Sequence, residues 1–188
     1  MTSGRPAAGP DGLLRCPWSL ASPEYLRYHD EEWGRPVRDD AGIYERLCLE
    51  AFQSGLSWLT ILRKRENFRR AFHGFEIGAV AAFGPADIDR LLGDAGIVRN
   101  RGKIEATVAN ARAALGVPGG LAALVWSYAG SGTAPVSLAD VPAQTSSSLA
   151  LSKDLRRRGF RFTGPVTAYA TMQACGVVND HLAACVCR

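Results

Sequence analysis

Glycine and proline divide this sequence into segments whose apolar residues recur at helical spacing. Alternating apolar and polar runs, which are typical of half-buried strands, are scarce, and residues 160–162 give the one hint of a strand. The pattern therefore predicts an all-α fold. Helices are predicted at residues 41–54, 58–72, 85–92, 101–115 and 121–128, between the hydroxyl residues 145–148 and Gly159, and between Pro165 and Gly176.

A length of 188 residues suits one domain, and a hydrophobic fraction of 47% is enough to form a core. No apolar run approaches the roughly 20 residues that a membrane helix needs, and the first 12 residues lack the pattern of a secretory signal. We expect a flexible tail at residues 1–14, a single domain at residues 15–188 and a cytoplasmic location. The net charge of +4 suits a polyanionic partner but does not by itself identify one.

Cysteine and histidine occur in two pairs, one near each end of the chain. Cys16 and His29 form the first pair, and His181 and Cys185 form the second, four residues apart and thus on one face of a helix. Two cysteines and two histidines can hold a tetrahedral zinc ion in a closed, structural site that joins the chain ends. Cys187 is an alternative last ligand, and free thiols with a core histidine are the alternative interpretation.

Glu50 lies at the edge of the apolar face of its predicted helix, close to the direction of Ile43. A carboxylate in that position needs a partner, which an ion pair, solvent or a cationic ligand can supply. Aromatic residues are frequent in the same part of the chain. Such residues usually pack a core, but flat faces beside one carboxylate also suit a flat cation. The aromatic residues are Trp18, Tyr25, Tyr28, Trp33 and Trp58.

Residues 91–104 place a glycine-containing turn between two predicted helices, with basic side chains at Arg99, Arg101 and Lys103. Backbone N–H groups at a helix start, together with neighbouring basic side chains, suit a phosphate. The pattern is therefore compatible with binding to a nucleic-acid backbone. An ordinary connection between two helices would have the same sequence pattern.

From residue 15 onward, the sequence resembles the 3-methyladenine DNA glycosylase I (TAG) family. The run Tyr-His-Asp-Glu-Glu-Trp-Gly at residues 28–34 and Asn-Asp-His at residues 179–181 are highly specific to that family. Further matching stretches are residues 15–18, 25–27, 49–58, 63–68, 94–103, 151–153, 158–160 and 172–176. The similarity therefore covers nearly the whole chain beyond its first 14 residues.

This resemblance implies a helix-hairpin-helix glycosylase fold, with the hairpin region at about residues 86–115, and one structural zinc ion that joins residues 15–34 to residues 176–188. The implied zinc ligands are Cys16, His29, His181 and Cys185. The implied base-recognising carboxylate is Glu50, with stacking aromatics at Tyr28 and Trp58 and supporting walls at Tyr25, Trp18 and Trp33. The resemblance also implies two DNA contacts at the gap in the duplex, Gln53 and Leu56. The other implied DNA contacts lie in the hairpin within residues 95–103 and are Gly96, Arg99, Arg101, Gly102 and Lys103.

This resemblance implies the activity of a monofunctional DNA glycosylase. The chain would hydrolyse the N-glycosidic bond of 3-methyladenine in double-stranded DNA, as a monomer, and leave an abasic site without strand-cleaving lyase activity. Phe52 and Val186 depart from the usual family pattern. The alternatives are a non-catalytic reader of alkylated or nicked DNA, which the set around Glu50 disfavours, a zinc-stabilised interaction module, and a glycosylase of broader alkyl-purine range, which Phe52 slightly favours.

Overall fold

Nine α-helices make up most of the described chain, residues 4–130 and 132–188 of this computed structural model. The predicted helical fold is confirmed. Three short 3₁₀ turns lie at Pro17–Ala21, His73–Phe75 and Leu138–Asp140. The helices are α1 (Pro23–Glu31), α2 (Asp40–Gln53), α3 (Trp58–Ala71), α4 (Ile77–Ala81), α5 (Pro85–Gly93), α6 (Arg101–Leu115), α7 (Leu121–Trp126), α8 (Ser146–Arg157) and α9 (Pro165–Ala174).

The helix ends follow local signals in the sequence. Asp39, Ser57 and Asn100 cap α2, α3 and α6, because each side chain accepts a hydrogen bond from an unpaired N–H of the first turn. Pro165 begins α9 and Gly176, with a φ of 68°, follows its end, as predicted. Helix α4 was not predicted because five residues are too few to show a period.

The hint of a strand at residues 160–162 is wrong. Phe162 has a φ of 55°, in the left-handed region, which interrupts an extended backbone. The Asn110 side chain pairs with Arg161 instead, donating to its carbonyl at 3.1 Å and accepting from its N–H at 2.7 Å. A side-chain amide from α6 therefore takes the place of a neighbouring strand.

The two strands in the described chain, β1 (Ala7–Ala8) and β2 (Leu14–Arg15), lie at the amino-terminal end and pair antiparallel. They fall mainly within the segment that the sequence predicts as a flexible tail, whose first three residues lie outside the described part. The Gly4 carbonyl also accepts from Leu138 N at 2.8 Å. Residues 4–14 thus have hydrogen-bonded contacts with the rest of the chain.

The main core lies between α2, α3, α6 and α9, and a set of phenylalanines fills its centre. Phe52 is fully buried, and its ring centroid lies 4.6 Å from that of Phe68. Because Phe52 packs inside this core, its departure from the family pattern is a packing feature. A smaller core forms around Cys16, Leu182 and Cys185, where the two chain ends meet.

Among the described residues, none of the helices has the length and apolar character needed to cross a membrane.

Candidate active site and metal-binding cluster

A cavity of about 410 Å³ opens between the Pro17–Ala21 turn, α1, the end of α2, the start of α3 and α9. It brings together all six residues predicted to recognise a base. Two residues of α9, Ala170 and Gln173, complete its wall and were not predicted. The lining residues are Trp18, Ala21, Tyr25, Tyr28, Trp33, Glu50, Gln53, Trp58, Ala170 and Gln173.

Of the described residues that line this cavity, Glu50 is the one with an acidic side chain, and it is only 8% exposed. Within residues 4–130 and 132–188, no group donates a hydrogen bond to its carboxylate and no cation pairs with it. Burial alone raises the pKa of Glu50 to about 8. Glu50 therefore has neither the ion pair nor the surface position that could have satisfied its carboxylate. The carboxylate remains available to a ligand.

Glu50→Gln is expected to stabilise the folded chain at high pH. The unfolded carboxyl loses its proton near its ordinary pKa of 4.5, whereas the folded one keeps it up to about 8. The wild type therefore loses stability as pH rises between these values, and glutamine removes that loss, on the order of 2–5 kcal/mol. Urea unfolding of both proteins at about pH 5 and about pH 9 measures the effect.

The exposed acid Glu31 on α1 provides the control for this comparison. Glu31→Gln should change the free energy of unfolding by a similar, small amount at both pH values. An equal change in stability at both pH values for Glu50→Gln would show that the wild-type Glu50 carboxyl does not have a raised pKa.

The aromatic walls hold one another at fixed angles. The rings of Tyr28 and Trp58 lie 5.3 Å apart at 51°, and Trp18 meets Tyr25 edge to face at 5.8 Å. The Tyr25 hydroxyl accepts from Leu59 N at 3.0 Å, which fixes α1 against the first turn of α3 beside Trp58. The cavity therefore presents flat faces together with one carboxylate, a combination suited to a flat cation.

The two predicted cysteine–histidine pairs meet at the junction of the chain ends. Cys16, His29, His181 and Cys185 are all buried, and their ligand atoms lie within 4.8 Å of one another. The two ring nitrogens, His29 Nε2 and His181 Nδ1, are 3.1 Å apart, and Cys185 Sγ lies 3.4 and 3.6 Å from them. Cys16 Sγ lies 4.0 Å from His181 Nδ1. A tetrahedral ion with ordinary bond lengths needs separations of about 3.3–3.8 Å.

Neighbouring groups orient these ligands. His29 Nδ1 lies 2.7 Å from an Asp30 oxygen and His181 Nε2 lies 3.0 Å from the Trp33 carbonyl, so the other nitrogen of each ring faces the cluster. Burial lowers the pKa of both imidazoles, to about 4 for His181. Neutral rings near pH 7 offer a lone pair to a metal ion. These four residues can therefore hold a metal, and Cys185, not Cys187, completes the set.

The metal-binding cluster and the cavity share a wall. The Trp18 ring lies 5.2 Å from that of His29, and the Trp33 ring lies 4.7 Å from that of His181. Both indoles also line the cavity and contact each other at 5.1 Å. The cluster therefore supports the position of two cavity walls as well as joining the chain ends.

The predicted hairpin lies between α5 and α6. Asp94 accepts a hydrogen bond from Gly96 N at 2.7 Å, and Lys64 Nζ donates to the Gly96 carbonyl at 3.2 Å, so the turn is held from both sides. Arg99, Arg101 and Gly102 are exposed beside it. The turn therefore leaves basic side chains at the surface, as binding to a phosphate backbone requires.

The sequence model of the methyladenine glycosylase family matches residues 18–188. The chain is also 48% identical over 183 residues to DNA-3-methyladenine glycosylase 1 of Escherichia coli (strain K12), covering 93% of this chain and 97% of that protein.

The chain belongs to the methyladenine glycosylase family.

Solved structures agree with this assignment. A crystal structure of 3-methyladenine DNA glycosylase I (TAG) superimposes with a TM-score of 0.89 at 46% identity, covering 93% of this chain and 99% of that one. The TAG of Staphylococcus aureus, solved to explain its recognition of 3-methyladenine, superimposes with a TM-score of 0.86 at 37% identity, covering 92% and 95%. This methyladenine glycosylase family member therefore has the TAG fold that its sequence predicted.

Lys103, one of the predicted DNA contacts, is buried beside the carboxyl end of α2. Its side chain is 8% exposed, and Nζ donates to the carbonyls of Phe52 at 2.9 Å and Ser54 at 2.5 Å. The ammonium group therefore holds the carboxyl end of α2. This position disfavours the assignment of Lys103 as a DNA contact, which stays a prediction, because sequence shows a basic residue near a turn but not which groups bury it.

Gln53 and Leu56 lie in the turn that Lys103 holds. Gln53 lines the cavity, and its carbonyl accepts from Leu56 N at 2.6 Å. Gly55 has a φ of 82°, which only glycine adopts without strain, and Leu56 is 42% exposed. The turn thus places an exposed apolar side chain next to the cavity mouth of this methyladenine glycosylase family member.

Lys103→Met is expected to destabilise the fold by about 1–3 kcal/mol, since one buried and one partly buried carbonyl lose their donor. Urea unfolding measures this loss, and the exposed Lys153→Met is the control. The salt dependence of DNA binding should stay the same. A fall in its logarithmic slope by about one, the change expected for a lost phosphate contact, without a loss of stability would contradict this role for Lys103.

Proposed function

We propose that this chain is a DNA glycosylase that removes 3-methyladenine from alkylated DNA. The observation that carries the proposal is the Glu50 carboxylate, buried without a partner among the aromatic walls of a cavity. Such a site attracts a flat purine that has gained a positive charge. The names of the Escherichia coli and Staphylococcus aureus relatives support the same substrate.

The protein needs to supply little covalent chemistry in this reaction. Methylation at N3 makes the adenine cationic, so the bond from C1′ to the base breaks with its electron pair going to the base, which leaves neutral. Water then adds its oxygen to C1′ and releases a proton to solvent. The work of the protein is to extrude the nucleotide, at a cost of a few kcal/mol, and to select the damaged base.

Selection comes from contacts that an uncharged adenine cannot match. Stacking on Trp58 and Tyr28 adds a cation–π attraction of about 2 kcal/mol when water is excluded. Glu50 accepts a charge-assisted hydrogen bond from the base edge, which contributes roughly 1.5–3 kcal/mol. The cation also favours the ionised form of Glu50 and so lowers its pKa from the raised value in the empty cavity.

The proposed reaction stops at the abasic site. A lyase needs an amine that forms a Schiff base with the sugar, and among the described residues that line the cavity there is no lysine.

The exposed side of the hairpin and the Gln53–Leu56 turn would contact double-stranded DNA, with Arg99 and Arg101 near phosphates. A monomer suffices for these contacts, because the cavity and the hairpin belong to one chain.

For the metal-binding cluster we propose one zinc ion. Two thiols and two imidazoles, whose ligand atoms all lie within 4.8 Å of one another, are a set that zinc prefers. Four protein ligands leave no position for water, so the ion would be structural. Backbone N–H groups of Leu182 and Cys187 point at the sulfurs of Cys16 and Cys185, at 3.4 and 3.5 Å, and such bonds stabilise metal-bound thiolates.

Freshly methylated plasmid DNA tests the proposed reaction. Incubation with the chain should leave the plasmid supercoiled, and mild alkali should then nick it at the new abasic sites. Unmethylated plasmid, the control, should stay intact after the same treatment. Nicking before alkali would indicate lyase activity, and no nicking after alkali would contradict glycosylase activity.

A further inference from the structure

We infer that Gln173 is a specificity-determining residue that presents its amide oxygen to the 6-amino group of the bound purine, and that Asp180 positions it. The inference rests on the proposed function. Gln173 lies on α9 and lines the cavity that also contains Glu50. Gln173 lies in residues 172–176, a stretch that matches the family, but no pattern in the sequence assigned it a role.

The orientation of the Gln173 amide follows from its partner. Nε2 lies 2.8 Å from Asp180 Oδ2. A carboxylate only accepts hydrogen bonds, so the amide nitrogen, not the oxygen, must face Asp180. Within the described residues, no group donates to Gln173 Oε1. This oxygen is therefore an acceptor without a donor among the described residues, on a side chain that lines the cavity.

Two further contacts keep Gln173 in place. The hydroxyl of Tyr169, one helical turn earlier on α9, donates to the same Asp180 oxygen, and Tyr169 is 4% exposed. The Gln173 carbonyl accepts from Gly34 N at 3.1 Å, which ties α9 to the chain that follows α1. Asp180 thus receives two donors, and a rotation of the Gln173 amide would place two acceptors against each other.

The chemistry of the two methylated purines makes this acceptor selective. Adenine carries an amino group with two N–H donors at position 6, which can satisfy both Glu50 and Gln173. Guanine carries an oxygen at that position, which would face two acceptor oxygens and leave them unpaired. A site built to accept hydrogen bonds strongly rejects an analogue that lacks the donors. Gln173 and Glu50 together therefore favour 3-methyladenine over 3-methylguanine.

Gln173→Met tests the inference, because methionine has a similar length and no acceptor oxygen. DNA treated with dimethyl sulfate contains both bases, so chromatography of the released bases gives the two rates from one sample. We expect the ratio of 3-methyladenine to 3-methylguanine release to fall about tenfold or more. Tyr169→Phe, which keeps the buried ring but removes one bond to Asp180, should lower the ratio severalfold.

Calorimetric binding of free 3-methyladenine and 3-methylguanine provides a second readout that needs no catalysis. The preference for 3-methyladenine should fall in Gln173→Met and, less strongly, in Tyr169→Phe. The inference would be overturned if a variant lost binding and release of both bases equally, or if the ratios stayed within about twofold of wild type in both variants. If the wild type released neither base, the proposed function would fail, while the binding ratio would still decide the role of Gln173.

Discussion

Glu50→Gln is expected to lower the rate of 3-methyladenine release by about 10- to 150-fold, the equivalent of a charge-assisted hydrogen bond of roughly 1.5–3 kcal/mol. Glutamine keeps the size of the side chain and an acceptor oxygen but removes the negative charge. Because this carboxylate is largely buried, solvent screens its attraction for the cationic base only weakly, and glutamine removes that attraction. Single-turnover release from methylated DNA measures the effect.

Glu45→Gln provides a matched control on the same helix. Glu45 pairs with Arg69 at 2.8 Å and does not line the cavity, so its substitution should affect stability more than base release. The expected gain in stability of Glu50→Gln near pH 9 excludes unfolding as the cause of its lost activity. Unchanged release in Glu50→Gln would show that another group recognises the base.

Replacement of a cluster residue, in Cys16→Ser or His181→Ala, is expected to remove the bound metal and lower the melting temperature by about 10 °C or more. Structural metal sites contribute several kcal/mol to folding, and each kcal/mol shifts the melting temperature by about 2–4 °C in a chain of this size. Metal analysis and thermal unfolding of the purified variants measure both effects.

Cys187→Ser tests the choice of ligands within the same segment. Cys187 lies outside the four-residue group and contacts Asp30 at 3.5 Å, so its substitution should leave the metal content near that of the wild type. A metal lost from Cys187→Ser but retained by Cys185→Ser would reverse the assignment of the fourth ligand. Retention in Cys16→Ser would show that these four residues do not hold the metal.

The shared wall adds a second expected consequence of metal loss. Because Trp18 and Trp33 contact the cluster histidines and also line the cavity, removal of the metal should weaken the binding of free 3-methyladenine. Titration of the base into wild-type protein with and without a chelator measures this effect. The sequence suggested two separate roles, a metal that joins the chain ends and a pocket that selects the base. The structure connects them through two indoles.

Local signals in the sequence were sufficient for most of the helices. Asp39, Ser57 and Asn100 each place a capping side chain where a helix begins, and the apolar period places Glu50 at the edge of a buried face. The fold also brings together the six predicted cavity residues. Their roles follow from the family resemblance, whereas composition indicates only a helical, mildly basic chain.

Features that depend on contacts between distant residues could not be predicted in this way. Lys103 appears as a basic residue near a turn, but the carbonyls that it binds lie at the carboxyl end of α2 and just after it, 51 and 49 residues earlier. Gln173 has no local signal, since its orientation depends on Asp180 beyond the end of α9. The apparent strand at residues 160–162 failed because Asn110, on another helix, supplies the hydrogen bonds.

Chromatography of the bases that the chain releases from DNA treated with dimethyl sulfate tests the central claim most directly. This DNA also contains 7-methylguanine, which is cationic too, so positive charge alone cannot explain a preference. The cavity around Glu50, Trp58 and Tyr28 predicts free 3-methyladenine without 7-methylguanine. Release of both bases at similar rates, or of no methylated base, would contradict the account.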